Sequence, residues 1–154
     1  MIKHIKCDIF ESGADIICHQ VNCQGVMGSG VAKQVRERYP WVYAHYKRLC
    51  NTYKNHKERM LGFAQSTFID ENTEIVNLYA QLSYGYDGAC YTDYYALKQG
   101  LKHLSVTNHK KTIAIPYLMG CHRGGGDWNI VYKIIEEVFA DSDCEVLICE
   151  YNGG

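Results

Sequence analysis

The order of elements legible in this chain predicts an α/β fold, a three-layer α/β/α sandwich around a mixed, largely parallel central sheet. Three observations carry that prediction. The apolar runs at 14–21 and 112–117 are short and nearly continuous, as in strands covered on both faces. Such runs alternate with segments of helical period, the pattern of helices packed on a sheet. Two further extended segments are separated only by Asp70-Glu71-Asn72-Thr73, which adds a hairpin and hence antiparallel pairing. A chain of 154 residues that is 47% hydrophobic with 2 prolines fits one ordered domain over 1–154.

In chain order, 2–8 reads as a first strand ending at Cys7-Asp8-Ile9-Phe10, followed by a turn at Glu11-Ser12-Gly13. The run 14–21 is the second strand. A loop with Gly25, Gly28 and Gly30 leads into a helix whose apolar positions Val31, Val35 and Tyr39 recur at i, i+4 and i+8, and Pro40 is expected to stop it. A second helix over 41–53 carries the stripe Val42, Tyr46, Leu49 and Tyr53, and the polar, basic stretch 51–59 reads as its solvated end. Strand 61–69, the turn at 70–73 and strand 74–80 make the hairpin. Residues 81–91 hold three tyrosines and turn residues without a period, and long irregular loops of this kind often carry function.

Thr92 is placed to cap a third helix, with Asp93 in its first turn and Tyr94, Leu97, Leu101 and Leu104 as its buried stripe. Strand 112–117 runs into a second glycine-rich loop at 118–127, where Asp127 is a candidate cap for a fourth helix packed through Val131, Ile134, Ile135 and Val138. A last strand at 145–151 leaves Asn152-Gly153-Gly154 as a frayed end.

Both glycine loops leave strands at one sheet edge, and both open helices. Free backbone N–H groups at the positive end of a helix dipole make a site for phosphate or carboxylate, and ligands of open α/β sheets sit at the C-terminal strand ends. Two such loops facing one cleft point to a diphosphate or two phosphates. Neither Gly-x-Gly-x-x-Gly nor Gly-Lys-Ser/Thr is present, so no dinucleotide or P-loop chemistry is indicated, and no cofactor is called for.

The net charge of −1, with 16 scattered basic residues, leaves no footprint for duplex nucleic acid. No apolar run reaches a membrane span, and the N-terminus carries no h-region, which together lead to the expectation of a cytoplasmic protein. None of the 8 cysteines falls in Cys-x-x-Cys spacing, and reduced core thiols are expected rather than a metal site.

With these residues in hand, the chain resembles the macrodomain family, whose members bind ADP-ribose. The resemblance spans nearly the whole chain and rests on Cys7-Asp8-Ile9, on Asn22 with the loop Gly25-Val-Met-Gly-Ser-Gly-Val-Ala32, and on Ile115-Pro-Tyr-Leu-Met-Gly-Cys-His-Arg-Gly-Gly-Gly-Asp-Trp128. By that resemblance Asp8 and Ile9 would hold the adenine. Asn22 with Gly25, Met27, Gly28, Ser29, Gly30 and Val31 would line the distal ribose, and Met119, Gly120, Cys121, His122, Arg123, Gly124, Gly125 and Gly126 would wrap the diphosphate. Its partner would be ADP-ribose or a derivative, or an ADP-ribosylated macromolecule.

Within the family, the run from His19 to Pro40 is similar to the yeast-type ADP-ribose-1″-phosphate phosphatases, through His-x-x-Asn-Cys-x-Gly and Arg-Tyr-Pro, and to the terminal ADP-ribose glycohydrolases. The second branch uses a lysine just before its third helix; here that segment reads Ala89-Cys90-Tyr91-Thr92-Asp93. The expected reaction is removal of the 1″-phosphate, with His19, Asn22 and Asp87 orienting phosphate and water. De-ADP-ribosylation of protein or nucleic acid, and sequestration without turnover, stand as alternatives. Each residue has a plainer reading: His19 as a satisfied core or supporting histidine, Asp87 as a turn cap, Asp127 as a helix cap, Arg123 and His122 as solvent-facing. Cys121 lacks the Cys-x5-Arg spacing of cysteine phosphatases.

Overall fold

The computed structural model describes residues 1–151; the frayed end expected at Asn152-Gly153-Gly154 lies outside them. Six strands, β1 (Ile2–Lys6), β2 (Ile16–Asn22), β3 (Ala64–Phe68), β4 (Glu74–Gln81), β5 (Thr112–Pro116) and β6 (Glu145–Glu150), form one sheet in the order β1-β6-β5-β2-β4-β3. All neighbours pair parallel except β3, which runs antiparallel to β4 across the expected hairpin. The three-layer sandwich is as predicted. Central strands β2, β4, β5 and β6 are buried almost throughout, whereas edge strands β1 and β3 are largely half-buried or exposed, which is why only the central ones read as continuous apolar runs.

Two cores flank the sheet. On one side Ile16, Cys18, Val76, Leu78, Ile113 and Ile148 meet α3 (Tyr94–Thr107) and α4 (Trp128–Phe139). On the other, Ile17, Val21, Ile75, Tyr79, Ala114 and Leu147 meet α1 (Gly30–Arg38) and α2 (Pro40–Thr52). Cys18 and Cys23 fall in opposite cores, as do Cys144 and Cys149, in keeping with their odd separations. All eight thiols are free, and five are buried. No helix among the described residues is long and apolar enough to cross a membrane.

Three local expectations need correction. Pro40 opens α2 rather than merely closing α1, because its missing N–H costs nothing in a first turn. The buried stripe of α2 is Val42, Tyr46 and Cys50, with Leu49 and Tyr53 at its margin. Asp93, not Thr92, caps α3, accepting from the Ala96 N–H at 3.0 Å. The Thr92 hydroxyl is already taken, donating to the Gly120 carbonyl at 2.7 Å.

Candidate functional site

The C-terminal ends of the parallel strands open into a cleft of about 350 Å³. Asp8 and Ile9 lie at one end of its wall, His19 to Asn22 form the floor, and both glycine loops face inward through Gly28 to Val31 and through Met119, Gly120, His122, Arg123 and Gly124. The structure does not bring every expected residue there. Met27 is fully buried in the α1/α2 core. Gly25 is buried against Lys47 and Cys50, on the outer side of its loop. Cys121, Gly125, Gly126 and Asp87 do not line the cleft. Sequence reading passed over Gln20 and Gln81, which do. Both sit at strand ends on the ligand edge, a position that the strand-end rule alone picks out.

The first loop is braced by side chains. Strand pairing shifts between Val21 and Asn22: Val21 faces Tyr79 and Asn22 faces Gln81, so Ala80 on β4 is the extra residue of a bulge. Asn22 Oδ1 accepts from the Gln24 N–H at 2.9 Å, and its Nδ2 donates to the Val26 carbonyl at 2.8 Å. The Asn22 amide is thereby committed to shaping the loop. At the end of that loop Ser29 occupies the N-cap of α1 without a side-chain cap bond, so the first-turn N–H groups of α1 are open toward the cleft.

The second loop is held by packing. Tyr91 and Thr92 N–H groups donate to the Gly124 carbonyl at 2.6 and 2.9 Å, and Gln20 Nε2 reaches Gln81 Oε1 and Thr92 Oγ1 at 2.8 and 2.9 Å. A Cβ on Gly125, which has φ +62°, would run into the Ala89 carbonyl. Those glycines are there so that the loop can dock on residues 89–92. Asp127 caps α4 by accepting from Asn129 N–H at 2.9 Å, and its own N–H donates to the Tyr94 hydroxyl at 3.0 Å. Arg123 stacks on Tyr86 with its guanidinium 4.1 Å from the ring centre, joining this loop to the tyrosine-rich one over the cleft mouth.

His19 is 2% exposed and sits in a polar chain running behind the floor. Gln65 Nε2 donates to the His45 carbonyl, which leaves Gln65 Oε1 to accept from Tyr79 OH and Asn77 Nδ2. Asn77 therefore turns its Oδ1 to His19 Nε2 at 2.6 Å, so the ring carries its proton on Nε2. Nδ1 is a buried acceptor with no partner in the protein. Burial lowers the His19 pKa to about 4, with the Asn77 bond opposing only in part, so the ring is neutral at pH 7.

Asp87 is fully exposed and accepts from the Ala89 N–H and the Tyr91 hydroxyl, each at 3.1 Å; these bonds hold its carboxyl below the usual range. It is a turn cap, outside the cleft. Asp8 is half-committed as well: Oδ1 accepts from Phe10 N–H at 3.0 Å and Oδ2 lies 3.6 Å from Arg38. Burial pushes the Cys121 thiol up to about 11, away from the thiolate form that a nucleophile needs at pH 7. Among the described residues, no three His, Cys, Asp or Glu side chains converge to hold a metal ion.

No family model matches the chain. Over its full length it is 26% identical to the DNA ADP-ribosyl glycohydrolase of Mycobacterium tuberculosis, of which it covers 43%. A 55-residue stretch, 34% of the chain, is 42% identical to the ADP-ribose 1″-phosphate phosphatase of Aspergillus oryzae, of which it covers 27%. The chain thus spans less than half the length of these curated relatives. Among solved structures, a protein of unknown function from Bacteroides thetaiotaomicron superposes with a TM-score of 0.82 at 25% identity, over 97% of this chain and 98% of that one. The macrodomain of Mycobacterium tuberculosis DarG superposes with a TM-score of 0.78 at 23% identity, over 100% and 99%. Thermosipho africanus DarTG in complex with ADP-ribose does so with 0.76 at 21%, over 97% of this chain and 41% of that one.

A mixed six-stranded sheet carrying two inward-facing glycine loops at the C-terminal ends of its strands defines an α/β protein with a cleft at that edge. Taken with these likenesses, the chain has the fold of a macrodomain.

Proposed function

We propose that this cleft binds ADP-ribose and that the protein is a hydrolase acting on the group carried at C1″ of the distal ribose. The observation that carries the reading is the convergence of both glycine loops on one cleft of about 350 Å³. In this reading the open first turn of α1 and the loop segment of Gly120, His122, Arg123 and Gly124 supply N–H groups to the diphosphate and distal ribose, and Arg123 supplies a cationic side chain. Asp8 keeps a carboxylate at the far end for the adenine amino group, and the Ile9 backbone lies beside it.

With a 1″-phosphate as substrate, water attacks phosphorus, the P–O bond to C1″ breaks, and ADP-ribose leaves with a proton taken from water. His19 does not donate that proton: its Nε2–H is held by Asn77 and its ring is neutral at pH 7. It offers an acceptor, while catalysis rests on positioning and on backbone dipoles aimed at developing charge. Asn22 acts by shaping the loop.

A second reading, hydrolysis of an ADP-ribosyl conjugate of protein or nucleic acid, is favoured by the charge of the cleft. Among the described residues, the lining carries one carboxylate, Asp8, and one guanidinium, Arg123, so a further phosphate dianion at C1″ meets no second guanidinium or ammonium group. The full-length relative also carries a glycohydrolase name. The readings separate in one assay series. Inorganic phosphate released from ADP-ribose-1″-phosphate marks the first; ADP-ribose released from a modified peptide or oligonucleotide marks the second. Tight ADP-ribose binding with neither product makes the protein a sequestering module.

A further inference from the structure

We propose that Tyr46 is a positioning residue for the cleft, setting the path of the first glycine loop through Asn22; its effect on ligand rests on the ADP-ribose reading above. Tyr46 lies on α2, 0% exposed, its ring between Tyr43 and Tyr79 at centroid distances of 6.3 and 5.8 Å. Its hydroxyl shares one proton between the Asn22 carbonyl at 2.8 Å and Asn22 Oδ1 at 2.9 Å. That residue is the last of the β2–β4 ladder, opposite Gln81 and just past the register shift, where strand pairing ends and the loop begins.

From Asn22 the connection continues outward to Gln24 N–H and the Val26 carbonyl, and Val26 and Gly28 to Val31 are cleft wall. One buried phenol on a helix thus determines where a cleft-lining loop leaves its strand. Burial raises the Tyr46 pKa far above its ordinary value, which keeps the hydroxyl a donor at every working pH. Nothing in the sequence marks this role: Tyr46 occupies an ordinary stripe position, and its partner lies 24 residues away.

The test is Tyr46→Phe, which keeps ring and volume and removes only the hydroxyl. Two readouts are taken: ADP-ribose affinity by calorimetry, and amide hydrogen exchange at Cys23 and Gln24, whose N–H groups are bonded to Gln81 O and to Asn22 Oδ1. The expected result is affinity reduced about tenfold and exchange at both amides accelerated about tenfold, the size of one lost hydrogen bond to the part-buried Asn22 carbonyl. Ile135→Val, a mild truncation in the opposite core, is the control for general destabilisation and should leave both readouts within about twofold. Asn22→Ala added to Tyr46→Phe should cost less than the sum of the two single changes, because both act through one connection. Tyr46→Phe with affinity and exchange both within about twofold of wild type overturns the proposal. Wild-type protein that fails to bind ADP-ribose overturns the functional reading instead, and ligand-free exchange at Cys23 and Gln24 still decides the role of Tyr46.

Discussion

The two glycine-rich loops look alike in sequence and are built on different physics. The first is held by side chains, Asn22 and behind it Tyr46, and it delivers an uncapped helix start to the cleft. The second is held mainly by close contact with the backbone of residues 89–92, with the Thr92 hydroxyl on the Gly120 carbonyl, and it delivers a helix already capped by Asp127. In the first loop Gly25 and Gly30 serve backbone conformation through positive φ; in the second Gly124 and Gly125 leave room for residues 89–92. A glycine-rich strand-to-helix turn therefore signals close approach without saying whether ligand or protein approaches.

That contrast is most sharply broken by adding one methyl group to each loop. Gly125→Ala meets the Ala89 carbonyl and keeps a positive φ, so about 3 kcal/mol or more of stability should be lost on thermal or denaturant unfolding. Gly30→Ala, at φ +59° with open space around it, carries only the conformational penalty of about 1–2 kcal/mol. Equal losses in the two variants would show that the loops are built alike after all.

Acid should act on the floor beneath the loops with nearly the same force. His19 has a folded pKa of about 4 against an ordinary value near 6.5, so folding favours its neutral form. Its contribution is complete above pH ~6.5 and is lost as pH falls toward ~4, by about 3 kcal/mol. Denaturant unfolding across that window should show the fall in wild type and a shallower one in His19→Phe; parallel curves would contradict the buried, neutral assignment.

Helix caps give a smaller contrast. Asp127→Ala should cost about 1 kcal/mol in unfolding free energy, whereas Ser29→Ala, which removes no cap bond, should change it by less than about 0.5 kcal/mol. The smallest effect is expected at Asp87→Asn, which alters an exposed turn outside the cleft and should leave turnover within about twofold. A loss of about a hundredfold there would restore Asp87 to the reaction.

Much of the fold was legible because it rests on local pattern. Continuous apolar runs marked β2 and β5, the stripe Leu97, Leu101 and Leu104 marked α3, and the four-residue turn at 70–73 marked the hairpin. Errors fell where a distant partner intervenes. Thr92 looked like a cap, but the Gly120 carbonyl, 28 residues on, claims its hydroxyl. Pro40 looked like a stop and is also a start. At the site, the cleft end of both loops was readable from glycine spacing, while Met27 faces the core and Gly25 the back of its loop. The tautomer of His19 was not readable at all, since Asn77 and Gln65 fix it from β4 and β3. Gln20 and Gln81 were missed because isolated glutamines on strands carry no signal beyond position.

The measurement that bears most directly on the account is a calorimetric titration of the protein with ADP-ribose, alongside AMP and ribose-5-phosphate. Two loops sharing one diphosphate predict one site per chain, with a Kd in the range of about micromolar, and binding of either fragment at least about a hundredfold weaker. No heat with ADP-ribose at sub-millimolar ligand, or fragments binding as tightly as the whole, would contradict the claim that both loops serve one ligand.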